Sequence, residues 1–217
     1  MAGIDLERRL GPRAERARET RRRVIDAALR LFVEHGYMPT TMSEIAREAG
    51  VAVQTLYLAF GSKSSILSAA LDVAIVGDDA PVPLLERPWI EELRTEEDGH
   101  RAVALLCREN TALFRRVAPL HVAIRAATGD AEVASLLERD QQSRYATQRQ
   151  FVAILAGKPG FNMELGEERA TDIVYGLLSE AVYLLFCVDR GWQVEEWTAW
   201  VAATLSSQLF PTPSSAL

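Results

Sequence analysis

Apolar residues recur at helical spacing along most of the chain, with no convincing stretch of strict two-residue alternation. The first periodic stretch predicts a helix over residues 20–35, where Ile25, Ala28, Leu31 and Phe32 share one face and Gly36 stops it. Thr41 then stands as an N-cap with Glu44 three residues on, the pairing of a capping box. Ile45, Ala46 and Ala49 give a second helix its inner face, and Gly50 ends it. Val51 anchors the turn into a third short helix, over about 52–59, with Leu56 inward. Gly61 interrupts again, and Ser62 caps a fourth helix over 63–76. The run 77–88, rich in Gly, Asp and Pro, reads as a linker. Beyond it helices are expected over 98–117, 119–127, 130–156, 167–189 and 195–209, with Pro119 in the first turn of its helix. Residues up to about 18 read as a flexible basic arm, with helix an option towards its end, 157–166 as a loop, and the tail from 211 as unstructured.

The fold class is therefore all-α. Residues 1–67 form the arm and a three-helix unit with a helix-turn-helix, and residues 68–217 a larger helical domain. With 48% hydrophobic and 25% charged residues, the chain has the composition of an ordinary globular protein. Cys107 and Cys187 are the only cysteines and lie far apart, which argues against a disulfide framework or a cysteine metal site. The first residues are charged and arginine-rich rather than an apolar leader, so a reducing cytoplasm is the expected compartment.

Charge is uneven. The net charge is −6, but residues 1–67 carry +3 and residues 68–217 carry −9. A basic end on an acidic body is what results when only that end approaches phosphate. The helix-turn-helix supplies the geometry, since its second helix lies in a major groove while neighbouring helix N-termini hold the backbone. Thr41, Thr55, Tyr57 and Lys63 carry donors suited to phosphate oxygens, and Arg22 stands at the start of the first helix. Base reading falls to Gln54, which can pair bidentately with adenine, and to Val53, which can pack on a thymine methyl. Ser43 on the second helix is a further candidate for the groove edge.

These residues carry a family resemblance. A-A-L-R-L-F-V-E-H-G-Y, T-T-M-S-E-I-A-R-E-A-G-V, T-L-Y and F-G-S-K, all between Val24 and Leu67, resemble the TetR family of bacterial transcriptional regulators. The resemblance implies an all-helical homodimer with an N-terminal DNA-binding domain and a larger domain that binds a small effector. It implies backbone contacts from Thr41, Thr55, Tyr57 and Lys63, and base contacts around Ser43, Val53 and Gln54. One position departs from the family pattern: Ala59 stands where an aromatic residue or His commonly contacts phosphate. Arg21, Arg22 and Arg23, close to the start of the first helix, are the candidates to compensate.

The rest of the chain suggests pairing and a pocket. The stretch 170–188 is apolar nearly all round apart from Asp172 and Glu180, so it needs neighbours on every side. It is too short and interrupted for a comfortable membrane span. Together with the last helix it offers Tyr183, Trp197, Trp200, Val201 and Leu205 as a homodimer interface, a four-helix bundle, as the resemblance also implies. The alternative is that these are core helices of a monomer. Asn110, His121, Arg125, Tyr145, Arg149, Tyr175 and Ser179 are the candidate contacts to an unknown small-molecule effector, each equally readable as ordinary helical surface. Arg125 has apolar neighbours and needs a partner, either a ligand carboxylate or Glu109. Catalytic signatures such as H-E-x-x-H, C-x-x-C and G-x-S-x-G are absent, and no cofactor or metal is expected. The expected partners are double-stranded operator DNA, a second copy of the chain and the effector, with no membrane. Rival readings are a small helical enzyme or carrier with a relic N-terminal unit, and a structural interaction protein that only pairs.

Overall fold

The computed structural model describes residues 11–77 and 83–211, and among them the backbone forms helices and turns with no strand. The expected basic arm up to residue 10, the centre of the linker and the end of the tail lie outside the described residues. The chain divides into two compact units, residues 1–70 and 71–217.

In the first unit α1 (Pro12–His35), α2 (Met42–Ala49), α3 (Val53–Phe60) and the start of α4 (Lys63–Val76) enclose a small core. Its centre is Ala28, Phe32, Ile45, Leu56, Ile66 and Leu67, each at most 1% exposed. The first helix begins well before the expected residue 20. Pro12 provides a first-turn proline, Glu15 favours the helix N-terminus, and the Arg- and Glu-rich stretch after it has good helix propensity. Those residues are exposed, so no apolar stripe announces them.

The second unit departs from expectation in three places. A helix α5 (Pro88–Thr95) forms at the end of the expected linker, because Ile90 and Leu93 are completely buried one turn apart. Next, α6 (Gly99–Ala126) runs unbroken through Pro119. An interior proline costs about 3 kcal/mol, and burial of Val117, Ala118, Leu120 and His121 around it offsets that cost. Third, the single helix expected over 167–189 is broken. It becomes α8 (Glu167–Leu177), α9 (Glu180–Tyr183) and a wider π-type turn over Leu184–Asp189. Ser179, in extended backbone, makes the break: its Oγ accepts from Val182 N at 3.3 Å and donates to Gly176 O at 2.9 Å. This 23-residue run has the length and hydropathy of a membrane span, but the break and the buried Glu180 interrupt it.

Two long helices, α6 and α7 (Ala131–Ala156), frame the unit, with α8 against α7 and α10 (Val194–Leu209) against α6. Phe114, Tyr183 and Trp197 meet edge to face or tilted at 5.3–6.2 Å between ring centres. The start of α6 is equally tight. A Cβ added at Gly99 would lie 2.2 Å from Phe210 Cε1, in a ring 3% exposed and packed between His100 and Phe161. Gly99→Ala should therefore destabilise this unit by about 1–3 kcal/mol, read as a lower urea midpoint; an unchanged midpoint would show that Phe210 yields freely.

The only two lysines of the chain do the same job in different units. Lys158 is 8% exposed and donates to the carbonyls of Leu93, Arg94 and Glu96, closing the C-terminal end of α5. Lys63 does this after α1, as described below.

Candidate functional site

The second helix of the first unit starts with the expected capping box. Glu44 N donates to Thr41 Oγ1 at 3.2 Å, and Glu44 Oε2 accepts from Thr41 N and Oγ1 at 2.8 and 2.9 Å. These hydrogen bonds hold the Glu44 carboxyl below the ordinary carboxylate range. Gly50 then adopts φ 66°, a left-handed conformation that suits glycine, and Val51 N donates back to Ala46 O at 3.0 Å. That closure turns the chain into α3, where only Leu56 is buried.

The outward face of α3 presents Gln54, Thr55, Tyr57 and Leu58, with Val53 half-buried at its start. Ser43 is exposed on α2 and Arg22 on α1. Leu58 was not singled out by the sequence, yet it is 88% exposed one turn beyond Gln54. A leucine reads as core in a periodicity argument; only the placement of Leu56 inward forces Leu58 out. Arg21 stacks over the ring of Phe60 at 4.5 Å, the residue that follows Ala59, the position that departs from the family pattern.

Two of the expected phosphate contacts have partners within the chain. Lys63 Nζ donates to Tyr37 O and Thr40 O, both at 2.8 Å, and to Met38 O at 3.4 Å. It also lies 4.1 Å from the Tyr37 ring centre. An ammonium has three N–H donors, and three carbonyls meet them, so in the DNA-free chain Lys63 pins the turn between α1 and α2. The Thr41 hydroxyl is likewise directed at Glu44, and a phosphate would have to displace that carboxylate.

In the second unit α6, α7 and α9 surround a cavity of about 90 Å³. Apolar walls come from Leu113, Phe114, Val117 and Phe151, and polar ones from Asn110, His121, Asp140, Arg144, Gln148 and Glu180. Glu180 is 4% exposed. Its Oε1 lies 3.1 Å from Arg125 Nη2 and 3.3 Å from His121 Nδ1, and its Oε2 lies 3.7 Å from Arg144 Nε. Burial alone would raise the Glu180 pKa, but His121 and the charge of Arg144 outweigh it and bring it down to about 2. Asp140, 3.5 Å from His121 Nε2, goes the other way: burial and the nearby Glu180 charge raise its pKa against the pull of His121.

Of the seven expected effector contacts, the cavity brings together Asn110 and His121. Arg125 pairs with Glu180, not Glu109, which is engaged by Arg108. Tyr145 donates to Asp172 at 3.0 Å and stacks on Tyr175, Arg149 is exposed, and Ser179 is used as a helix cap. None of these five lines the cavity. Asp140, Arg144, Gln148 and Glu180 were missed because their long polar side chains read as solvated faces. The helix break that turns Glu180 inward has no periodic signal.

The expected pairing residues also change. Trp197, Val201 and Leu205 are completely buried and Tyr183 is 7% exposed within the chain itself, so they are core and cannot meet a second copy. Trp200 is half-buried against Phe186 and Trp192. The surface that α8 and α10 do present includes the half-buried Ile173 and Leu177, with Gly176, Thr204 and Gln208, around an open depression.

Residues 24–70 match the family described as bacterial regulatory proteins, tetR family. Over 79 residues the chain is 47% identical to the uncharacterized HTH-type transcriptional regulator TtgW of Pseudomonas putida, covering 35% of this chain and 59% of that one. The same length is 47% identical to the HTH-type transcriptional regulator SrpR of Pseudomonas putida, covering 35% of this chain and 37% of that one. The match thus spans less than two thirds of either relative. In fold the chain is similar to the transcriptional regulator FadR of Bacillus subtilis, solved in complex with stearoyl-CoA. That likeness has a TM-score of 0.69 at 20% identity and covers 86% of this chain and 98% of that one. The capping box, the left-handed turn and the exposed short helix all fall within the matched segment, so residues 24–70 carry the tetR-family domain of bacterial regulatory proteins.

Proposed function

We propose that the chain is a dimeric operator-binding transcriptional regulator, of the repressor kind, released from DNA when a small molecule enters the second unit. The observation that carries this reading is the outward face of α3. A helix of eight residues buries one side chain and offers a glutamine, a threonine, a tyrosine and a leucine to its surroundings, on a turn fixed by a capping box. Gln54 supplies the bidentate hydrogen-bonding edge for adenine, and Leu58, one turn on, or Val53 supplies apolar contact for a thymine methyl. Thr55, Tyr57, Arg21 and Arg22, with the amides at the start of α2, face the backbone.

A second copy is needed because paired recognition helices must sit roughly 34–36 Å apart to enter successive major grooves. The α8–α10 surface, with Ile173 and Leu177 half-exposed, is the face proposed for that pairing. Release follows from the route of the chain. Ile75, in the last turn of α4, lines the cavity, and Arg116 donates to Ala74 O at 3.0 Å and Ile75 O at 3.2 Å. An effector that favours a different placement of this turn shifts the dimer away from the DNA-competent state by its differential affinity.

The test is selection of an operator from a random duplex pool, followed by anisotropy titration across salt. Affinity should fall steeply as salt rises. Gln54→Ala and Leu58→Ala should each relax base preference at one position per half-site, costing about 1–3 kcal/mol on the preferred sequence. Failure to enrich any sequence, or uniform weakening across sequences by both variants, would overturn the assignment of α3 as the reader.

A further inference from the structure

Resting on the reading of the second unit as an effector domain, we propose that its cavity takes a small apolar amine. The N–H groups of its ammonium meet Gln148 and Asp140, and its hydrocarbon lies against Phe114 and Phe151. The argument is a count of what the walls still offer. Asn110 commits one N–H of its amide to Leu106 O at 2.9 Å and Thr147 its hydroxyl proton to Ser143 O at 2.9 Å, which leaves an acceptor oxygen on each. Gln148 is 2% exposed and its Oε1 has no hydrogen-bond partner. A buried carbonyl in that state costs about 1–3 kcal/mol, which a donor on a ligand recovers.

The charges agree. Arg144, the arginine that lines the cavity, is already engaged: Nη1 donates to Tyr175 O at 3.1 Å, the guanidinium stacks 3.7 Å from the Tyr175 ring centre, and Nε faces Glu180. An anionic head group would meet the carboxylates of Asp140 and Glu180 instead. Among the described residues His121 is the basic side chain within ion-pair distance of Asp140, whose pKa is raised chiefly by burial, so a full positive charge beside it would stabilise the carboxylate. An ammonium supplies that charge.

Size restricts the rest of the molecule. The cavity is about 90 Å³, and an engineered apolar cavity of about 150 Å³ holds benzene. The cavity alone is thus too small for a ring, but a neighbouring space of about 220 Å³ shares Asn110, Leu113 and Phe151 as walls, so a ring or short branched chain needs both.

Calorimetry on the full chain, with 2-phenylethylammonium, 2-phenylethanol and 3-phenylpropanoate as probes, tests the assignment. The ammonium should bind at least tenfold more tightly than the carboxylate, with the alcohol between them. Gln148→Leu and Asp140→Asn, both close in shape to the native residues, should each weaken the ammonium at least fivefold. Equal or tighter binding of the carboxylate overturns the proposal, as does ammonium affinity unchanged in both variants. Anisotropy with the selected operator separates the two readings. Ammonium bound in the cavity with operator affinity unchanged sinks the effector role and leaves the amine site intact. Operator binding with no ammonium binding sinks the amine site alone.

Discussion

Alanine at Glu180 is expected to lower the unfolding free energy of the second unit by about 3–5 kcal/mol. The carboxylate is the common partner of Arg125, His121 and Arg144, and the His121 side chain is 3% exposed. Removing it leaves these groups facing each other with Asp140 as the remaining acid. Glutamine keeps the shape and one hydrogen-bonding oxygen, so its cost should be smaller, about 1–3 kcal/mol. Urea unfolding followed by tryptophan emission isolates the effect, because all four tryptophans lie at or beyond Trp89. A loss under about 1 kcal/mol for the alanine variant would mean that the cluster behaves as a solvated surface network. The pH dependence carries a sign as well. The folded pKa of Glu180 is about 2, below its ordinary 4.5, so its contribution is complete at neutral pH and drains as pH falls from about 4.5 towards 2. Asp140, with a raised pKa, favours the folded state while protonated and loses that contribution as pH rises through its folded value. The alanine variant should therefore show a flatter acid limb than the native chain.

Lys63→Ala should destabilise the first unit by about 2–3 kcal/mol, with a comparable loss for Lys63→Arg. Its ammonium gathers three carbonyls from one turn and sits on the Tyr37 ring, and a planar guanidinium cannot direct its N–H groups at that convergence. Hydrogen exchange of amides over residues 24–60 in the DNA-free protein reads this directly, since that unit has no tryptophan. The contrasting result is clear. A lysine whose role is to contact phosphate would leave exchange in the free protein untouched and, when removed, reduce the salt slope of DNA binding by about one.

The DNA-binding end was legible because its signals are local. A cap and its glutamate stand three residues apart, glycines mark the turns, and Leu56 fixes which side of a short helix faces in. The same locality gave no sign of the partners of Lys63, which lie 23 to 26 positions back in the chain. Legibility fails further along for the same reason. Glu180 meets Arg125 across 55 positions, and the break that aims it inward rests on a serine hydroxyl and not on any interruption of apolar spacing. Helix α6 shows the converse, where Pro119 is a strong local stop that tertiary burial overrides. The aromatic residues proposed for pairing were recognised as apolar and helical, but spacing alone cannot say whether such a face meets its own chain or another.

The distribution of lysine has a practical outcome. The chain carries 24 basic residues, of which only Lys63 and Lys158 are lysines, and both amines are held in collars of backbone carbonyl oxygen. Side-chain amines are the principal targets of acetyl donors, succinimidyl esters and formaldehyde. Such reagents find two sheltered nucleophiles here, so side-chain acylation should be slow while the fold is intact and accelerate on unfolding. Capture of this protein on DNA by formaldehyde will be correspondingly inefficient. Arginine- or photo-directed chemistry is the better route to its binding sites.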